Sequence, residues 1–541
     1  MKKRFADLHC HPHSRSFHWL RGTRHEKKYG KRFHAWNVVV SNFKRQEKGK
    51  RAFSYSQCDP VKLWNGETKL VFASLYPFEK GFYMGGTVER SKVVRLLDVI
   101  STTGLGFVNP MKWGQALFAL FTGAPTLFKS SRAFLQSLLM RMPIRRVKYF
   151  TSSKYDYYDE LLVERDFLFK KSGIQTTNQI FIPGIKRLFK SKRRLRRNYP
   201  DSLNADGKFV ICKNFDEVEK TINDDDIAMI LTIEGLHALG TDTAPQKAEE
   251  RILEMKKWPQ PVFFITIAHH FNNYLLGHAH SIPNSLRILS DQEEGMNESF
   301  SPPGERVIKL MLGLDDNLER DQALGHRILP DLKHTAVQSR KWYYDNIIDP
   351  CAAKGDVIPI IMSHVGYSGW KTLQESIDYS AHENDDDLKD GFYPWNINAC
   401  GEDVVKVAKS GGLIGLCFDQ RILGDKKDKR NSIDLIFNNL MAMIDAIVES
   451  DELSAQQKEK CWTYFTIGTD FEGYIDPTQD YSNSLELDDF GKDLMSKISL
   501  LSPQKKAGYY LNNDEDVKKA VEGICFDNPY EFLRKNFQFQ E

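Results

Sequence analysis

The chain has 541 residues, of which 41% are hydrophobic, 27% charged and 12% aromatic, and its formal net charge is +3. That balance supports a large core and excludes global disorder. A charge so near zero gives no global field for nucleic acid or a membrane surface, so no nucleic-acid partner is expected. The eight cysteines are scattered without a CxxC pair, and they read as reduced thiols in the core or at the surface.

No export signal is read at the start. Met1-Lys2-Lys3-Arg4 runs straight into Phe5-Ala6-Asp7-Leu8-His9, without the roughly seven apolar residues that a signal core needs. The most apolar stretch, residues 113–128, is too short to span a bilayer and contains Gly and Pro. It reads as a packed or interfacial helix, no transmembrane segment is expected, and cytoplasmic residence follows as the expectation.

In chain order, near-continuous apolar runs close on polar residues at 5–9, 69–75, 227–234, 262–269, 357–364, 412–419 and 464–470. Such runs suit parallel strands covered on both faces. A weaker run at 325–334 brings the number to eight, the number that closes a barrel. Amphipathic segments at 214–222, 246–257, 338–348, 401–410 and 433–449 alternate with the strands. The expected fold is therefore an α/β (β/α)8 TIM barrel of the metal-dependent hydrolase type. One domain over residues 1–541 is expected, with two long, mainly helical insertions at about 13–66 and about 77–206. The second carries Phe/Tyr-rich helices near residues 149–171 and a basic stretch at 186–197. That stretch reads as a solvated face or as a contact for an anionic partner. The acidic runs Asp224-Asp225-Asp226 and Asp385-Asp386-Asp387 read as solvated turns.

His9, Glu234, His269, His334, His364 and Asp470 each close a predicted strand. In a parallel barrel the carboxyl ends of the strands share one face, where active sites are built. His9 and His11 are two apart, so in an extended strand both rings point to one side and can share a metal. That spacing alone is a weak signal; its place at the first strand end gives it weight. Glu234 can offer one oxygen to each of two cations, and His334 with His364 would supply the second metal. Asp470 is the candidate proton shuttle. The competing readings are a macrodipole acid for Glu234, satisfied buried histidines for His334 and His364, and a loop cap for Asp470. His13 reads as a surface histidine pointing into the loop.

At these residues the sequence resembles the membrane (renal) dipeptidase family of the amidohydrolase superfamily. Residues 69–76 resemble its second strand, and Ile233-Glu234-Gly235-Leu236-His237 looks like its Glu-Gly-Gly-His segment. Thr266-Ile267-Ala268-His269 is similar to its Leu-Thr-x-x-His stretch. Asp331-Leu332-Lys333-His334 resembles Asp-Leu-Ser-His, Met362-Ser363-His364 its Phe-Ser-His, and Gly468-Thr469-Asp470-Phe471-Glu472-Gly473 its Gly-x-Asp-Phe-Asp-Gly. The resemblance covers most of residues 5–11, 67–76, 206–280 and 325–530 and neither insertion. It implies a binuclear amidohydrolase, dipeptidase-like, that cleaves an amide or peptide bond of a small substrate by a metal-bound hydroxide. In it His9 and His11 bind one divalent ion, Glu234 bridges, His334 and His364 bind the other, His269 contacts substrate or intermediate, and Asp470 moves the proton. Zinc is the expected identity, although such ligands accept manganese, iron or cobalt as well.

The chain departs from the family in three ways. It has His-x-His where the family has His-x-Asp, it has no Arg in residues 365–398 where the family grips a substrate carboxylate, and neither the family's secretion signal nor its lipid anchor region is expected from the sequence. Two other functions remain open. Asp7-Leu8-His9-Cys10-His11-Pro12-His13 resembles the opening motif of polymerase-and-histidinol-phosphatase-like phosphoesterases, and a non-catalytic metal-binding barrel could serve as a binding scaffold. An oligomer is compatible with the sequence.

Overall fold

The computed structural model describes residues 4–39, 56–82, 144–181, 204–242, 244–283, 290, 292–384, 387–424 and 431–538. The apolar stretch at 113–128, the basic stretch at 186–197 and the acids at 385–386 lie outside the described residues.

Eight parallel strands form the barrel. The long strands β1 (Phe5–Cys10), β2 (Thr68–Leu75) and β3 (Ile227–Glu234) are buried along their whole length. The shorter ones are β4 (Phe264–Thr266), β5 (Leu329–Asp331), β6 (Ile361–Val365), β7 (Leu413–Leu416) and β8 (Phe465–Ile467). They pair in sequence order, each parallel to the next. A further strand, Phe209–Ile211, pairs with the first half of β3. Helices follow the strands and cover the wall. Phe215–Asn223 shows why: Asn214 caps it by accepting from Glu217 N at 3.0 Å, and Phe215, Val218 and Ile222 form one buried stripe.

The ring closes between β8 and β1. Cys10 and Phe471 form a parallel bridge, Asp470 N donates to His9 O at 2.9 Å, and His11 N donates to Phe471 O at 3.0 Å. The side chains repeat the closure: the Thr469 hydroxyl donates to Asp7 Oδ2 at 2.6 Å, and Thr469 N to Asp7 Oδ1 at 3.0 Å. Burial pushes the Asp7 carboxyl up to about 6, against the bonds from Thr469.

Four strands end earlier than their sequence suggests. β4, β5, β7 and β8 stop at Thr266, Asp331, Leu416 and Ile467, so His269, His334, Asp419 and Asp470 stand in the loops just beyond. The causes are local. The Asn273 amide donates to Ile267 O at 2.8 Å, taking a carbonyl that a longer ladder would use. His334 and Asp470 have φ of 62° and 56°, which no strand accommodates. In β5, Pro330 has no N–H to give a neighbour.

The described parts of the two insertions are mainly helical, with short strands at Val38–Val39 and Ile180–Phe181 that pair with each other, and at Thr176–Thr177. The helices include α1 (Ser14–Leu20), the helix Pro60–Asn65, α2 (Ile144–Phe150) and α3 (Tyr157–Phe169). The acidic turn before β3 is less solvated than its composition implies: Asp226 is buried and pairs with Lys208 at 2.6 Å. All eight cysteines are free and buried, none at the surface. Among the described residues no helix is long and apolar enough to cross a membrane.

Because Thr469 ties β8 to β1 through a buried carboxylate, Thr469→Val is expected to cost about 1–3 kcal/mol. Urea denaturation should show a lower midpoint at an unchanged m value.

Candidate metal centre

Glu234, the last residue of β3, sits at the centre of the carboxyl-end face and is buried. Its Oε1 lies 3.3 Å from His9 Nε2, 3.4 Å from His269 Nε2, 3.5 Å from His334 Nε2 and 3.8 Å from His364 Nε2. Its Oε2 lies 3.2 Å from His11 Nε2. Asp470 faces the same space: Oδ1 is 3.8 Å from His9 Nε2 and 3.7 Å from His11 Nε2, and Oδ2 is 3.7 Å from His364 Nε2. All seven residues singled out from the sequence therefore meet at one point of the fold.

The donor atoms fall into two sets that share Glu234. His9, His11, Glu234 and Asp470 bring their ligand atoms within 4.8 Å of one another, and so do Glu234, His334 and His364. A third set, His269, His270 and His334, shares His334 with the second. Within the first two sets, several buried atoms make no hydrogen bond: both ring nitrogens of His9 and of His334, Nε2 of His11 and of His364, Glu234 Oε1 and Asp470 Oδ1. Buried polar atoms without partners are rare and costly. Here they converge, and imidazole nitrogens with carboxylate oxygens are the donor set of zinc and similar divalent ions. The residues present fit such ions.

The supporting contacts fix the rings in ligand form. The His11 Nδ1–H donates to Ser74 O at 3.0 Å, a carbonyl that can only accept, so the Nε2 lone pair faces the site. Ser363 donates its hydroxyl to Asp331 Oδ2 at 2.6 Å and accepts from His364 Nδ1 at 2.8 Å, which leaves His364 Nε2 bare. Thr266 adds a second hydroxyl to Asp331 Oδ2 at 2.6 Å. Burial pushes the Asp331 carboxyl up, while the bonds from Ser363 and Thr266 pull it down.

Charges follow from the same packing. Burial holds His334 and His364 well below the usual histidine range, as neutral rings. Burial would raise the Glu234 carboxyl, but His269 and His9 hold it well below the usual range. On His11 burial opposes a proton, but Asp470 and Glu234 push the ring well above the usual range, so a cation bound at Nε2 would displace a proton. His269 is likewise opposed by burial and pushed up to about 10 by Glu234 and Glu79.

The backbone is shaped for these contacts. His334, Asp470, Glu472 and Tyr474 all have φ near +60°, a clustering of left-handed residues that marks functional loops. Gly235 (φ 90°) turns the chain directly after Glu234, where a Cβ would collide with the His237 ring. At Gly473 a Cβ would collide with the Asp470 carboxylate.

Two findings depart from the sequence reading. His13 is not at the surface: it is fully buried, and its Nε2 lies 2.7 Å from Glu164 Oε1 of α3. Glu79, which sequence reasoning passed over, is buried with its carboxylate on His269 Nδ1. The available signal was its position just beyond the carboxyl end of β2, on the face where barrel chemistry is placed.

No family model matches the chain, and no curated protein matches it. Solved structures are similar to it. One is a metallo peptidase from Rhodobacter sphaeroides liganded with a phosphinate mimic of the dipeptide L-Ala-D-Ala, at 13% identity and TM-score 0.45, covering 98% of this chain and 99% of that one. Another is the dipeptidase AC, a metallo peptidase of family M19, at 12% identity and TM-score 0.47, covering 100% of both chains. A third is the probable dipeptidase PvdM from Pseudomonas aeruginosa, at 10% identity and TM-score 0.38, covering 95% of this chain and 97% of that one. At these identities and scores the functional reading rests on the site itself.

Ser363→Ala removes the group that holds His364 Nδ1 and leaves Asp331 short of a donor. Metal affinity, measured by competition against a chelator, is expected to fall roughly 10–100-fold with the fold retained.

Proposed function

We propose that this chain is a metal-dependent hydrolase that cleaves an amide or peptide bond in a small substrate, dipeptide-like in size. The observation that carries the reading is the convergence of unpartnered buried atoms from His9, His11, Glu234, His334, His364 and Asp470 around one shared carboxylate. His9, His11 and Glu234 would hold one divalent ion, and Glu234, His334 and His364 a second, zinc being the best match to the donors. When bound, the ions supply Lewis-acid activation of water and of the scissile carbonyl.

The protein's own groups then divide the remaining work. Asp470, held over both sets by a left-handed backbone and a close-packed Gly473, takes the proton of the attacking water. It returns that proton to the leaving amine, first as general base and then as general acid. His269 Nε2, beside Glu234 Oε1 at 3.4 Å, donates to the oxyanion that forms as the carbonyl carbon becomes tetrahedral. The buried positions of these residues exclude bulk water, which strengthens each of these interactions.

A phosphoesterase is the second reading, favoured by the third donor set of His269, His270 and His334. It predicts three ions per chain and turnover of a phosphomonoester such as p-nitrophenyl phosphate, where the amide hydrolase predicts two ions and no such turnover.

Elemental mass spectrometry on protein stripped with chelator and reloaded should find two ions per chain, and a panel of dipeptides and cyclic amides should reveal turnover. Asp470→Asn is expected to lower kcat by about 10²-fold or more with both ions retained. Near-normal turnover in that variant would remove Asp470 from the reaction, and a chain that stays metal-free after reloading would sink the hydrolase reading.

A further inference from the structure

Glu79 lies just past β2, at the start of the second insertion, and only 1% of it is exposed. A buried carboxylate is expensive unless donors surround it, and Glu79 has four. Its Oε2 takes His269 Nδ1, the Tyr76 hydroxyl at 3.3 Å and His270 N at 3.4 Å, and its Oε1 takes Phe271 N at 3.2 Å. A carboxylate that accepts from Nδ1 fixes the ring orientation. In this orientation His269 Nε2 faces Glu234.

The turn that carries Glu79 is itself clamped. Tyr155 donates its hydroxyl to Phe78 O at 2.8 Å, Lys80 N donates to the Tyr157 hydroxyl at 2.7 Å, and His237 Nε2 donates to Pro77 O at 2.8 Å. Tyr157 is the first residue of α3, and Tyr155 precedes it.

We propose that Glu79 is the positioning residue for His269, and that the tyrosines at the start of α3 hold Glu79 in place. The second insertion thereby carries part of the geometry of the reacting centre. The expected effect on turnover rests on the hydrolase reading above; the contact between Glu79 and His269 does not.

The test uses the full-length, metal-loaded protein. Glu79→Gln is expected to lower kcat roughly 10–100-fold, with KM within about twofold and both ions retained. In a His269→Gln background the same change should alter kcat by less than about threefold, because Glu79 acts through His269. Losses that multiply in the double variant, or a wild-type kcat in Glu79→Gln, would overturn the proposal. A second readout needs no turnover. In protein labelled with 15N-histidine, the Nδ1–H signal assigned by its loss in His269→Gln should shift or vanish in Glu79→Gln; an unchanged signal also overturns the proposal. If the wild type hydrolyses nothing while Glu79→Gln still loses that signal, the hydrolase reading fails and the positioning role stands. Should Glu79→Gln not fold, Tyr157→Phe gives the answer: a roughly fivefold loss of kcat and a shifted His269 signal are expected, and no change in either counts against the clamp.

Discussion

One buried carboxylate organises this molecule. Glu234 is faced by five imidazoles, from His9, His11, His269, His334 and His364, all within 3.8 Å of its two oxygens. Bringing a carboxylate into a protein interior costs several kcal/mol unless opposite charge or donors meet it. Here the compensation comes from residues at or beyond the ends of β1, β4, β5 and β6, which stand together only when the sheet is closed. The bridge between Cys10 and Phe471 and the bond from Thr469 to Asp7 are what close it. Fold and site are thus one constraint: an open sheet would leave Glu234 buried on one side and unpaired on the other.

Beneath that carboxylate runs a layer of polar contacts with one recurring plan. Asp331 takes hydroxyls from Thr266 and Ser363, and Asp7 takes the hydroxyl of Thr469. Each joins neighbouring strands just below the ligands, so that ring orientation is inherited from the barrel wall and not from mobile loops. Such a layer is affordable only because nearly every lone pair in it is met.

Much of this was legible in the sequence because the relevant signals are local. Near-continuous apolar runs announced seven strands and a weaker run the eighth, and polar residues at their ends announced the convergence. Where the reading failed, the deciding contact was distant along the chain. His13 looks like a third loop histidine until α3 supplies Glu164, 151 residues away. Glu79 sits in Tyr76-Pro77-Phe78-Glu79, which has neither helical nor strand periodicity, and its partner is 190 residues distant. The strand ends at Thr266, Asp331 and Ile467 were set by left-handed residues and a side-chain bond to Ile267 O, features that hydropathy does not encode.

The pairing of His13 with Glu164 has a consequence for anyone reshaping this protein. Insertions in barrels are commonly treated as interchangeable parts, trimmed or swapped to alter what reaches the mouth. Here Glu164 Oε1 meets His13, two residues beyond His11, and also accepts from Tyr76 N at 3.2 Å, one residue past β2. Excising the segment around α3 would strip the partner from a buried histidine and from a backbone amide at two strand ends at once. The segment is part of the chassis, and a transplanted barrel would have to bring it along.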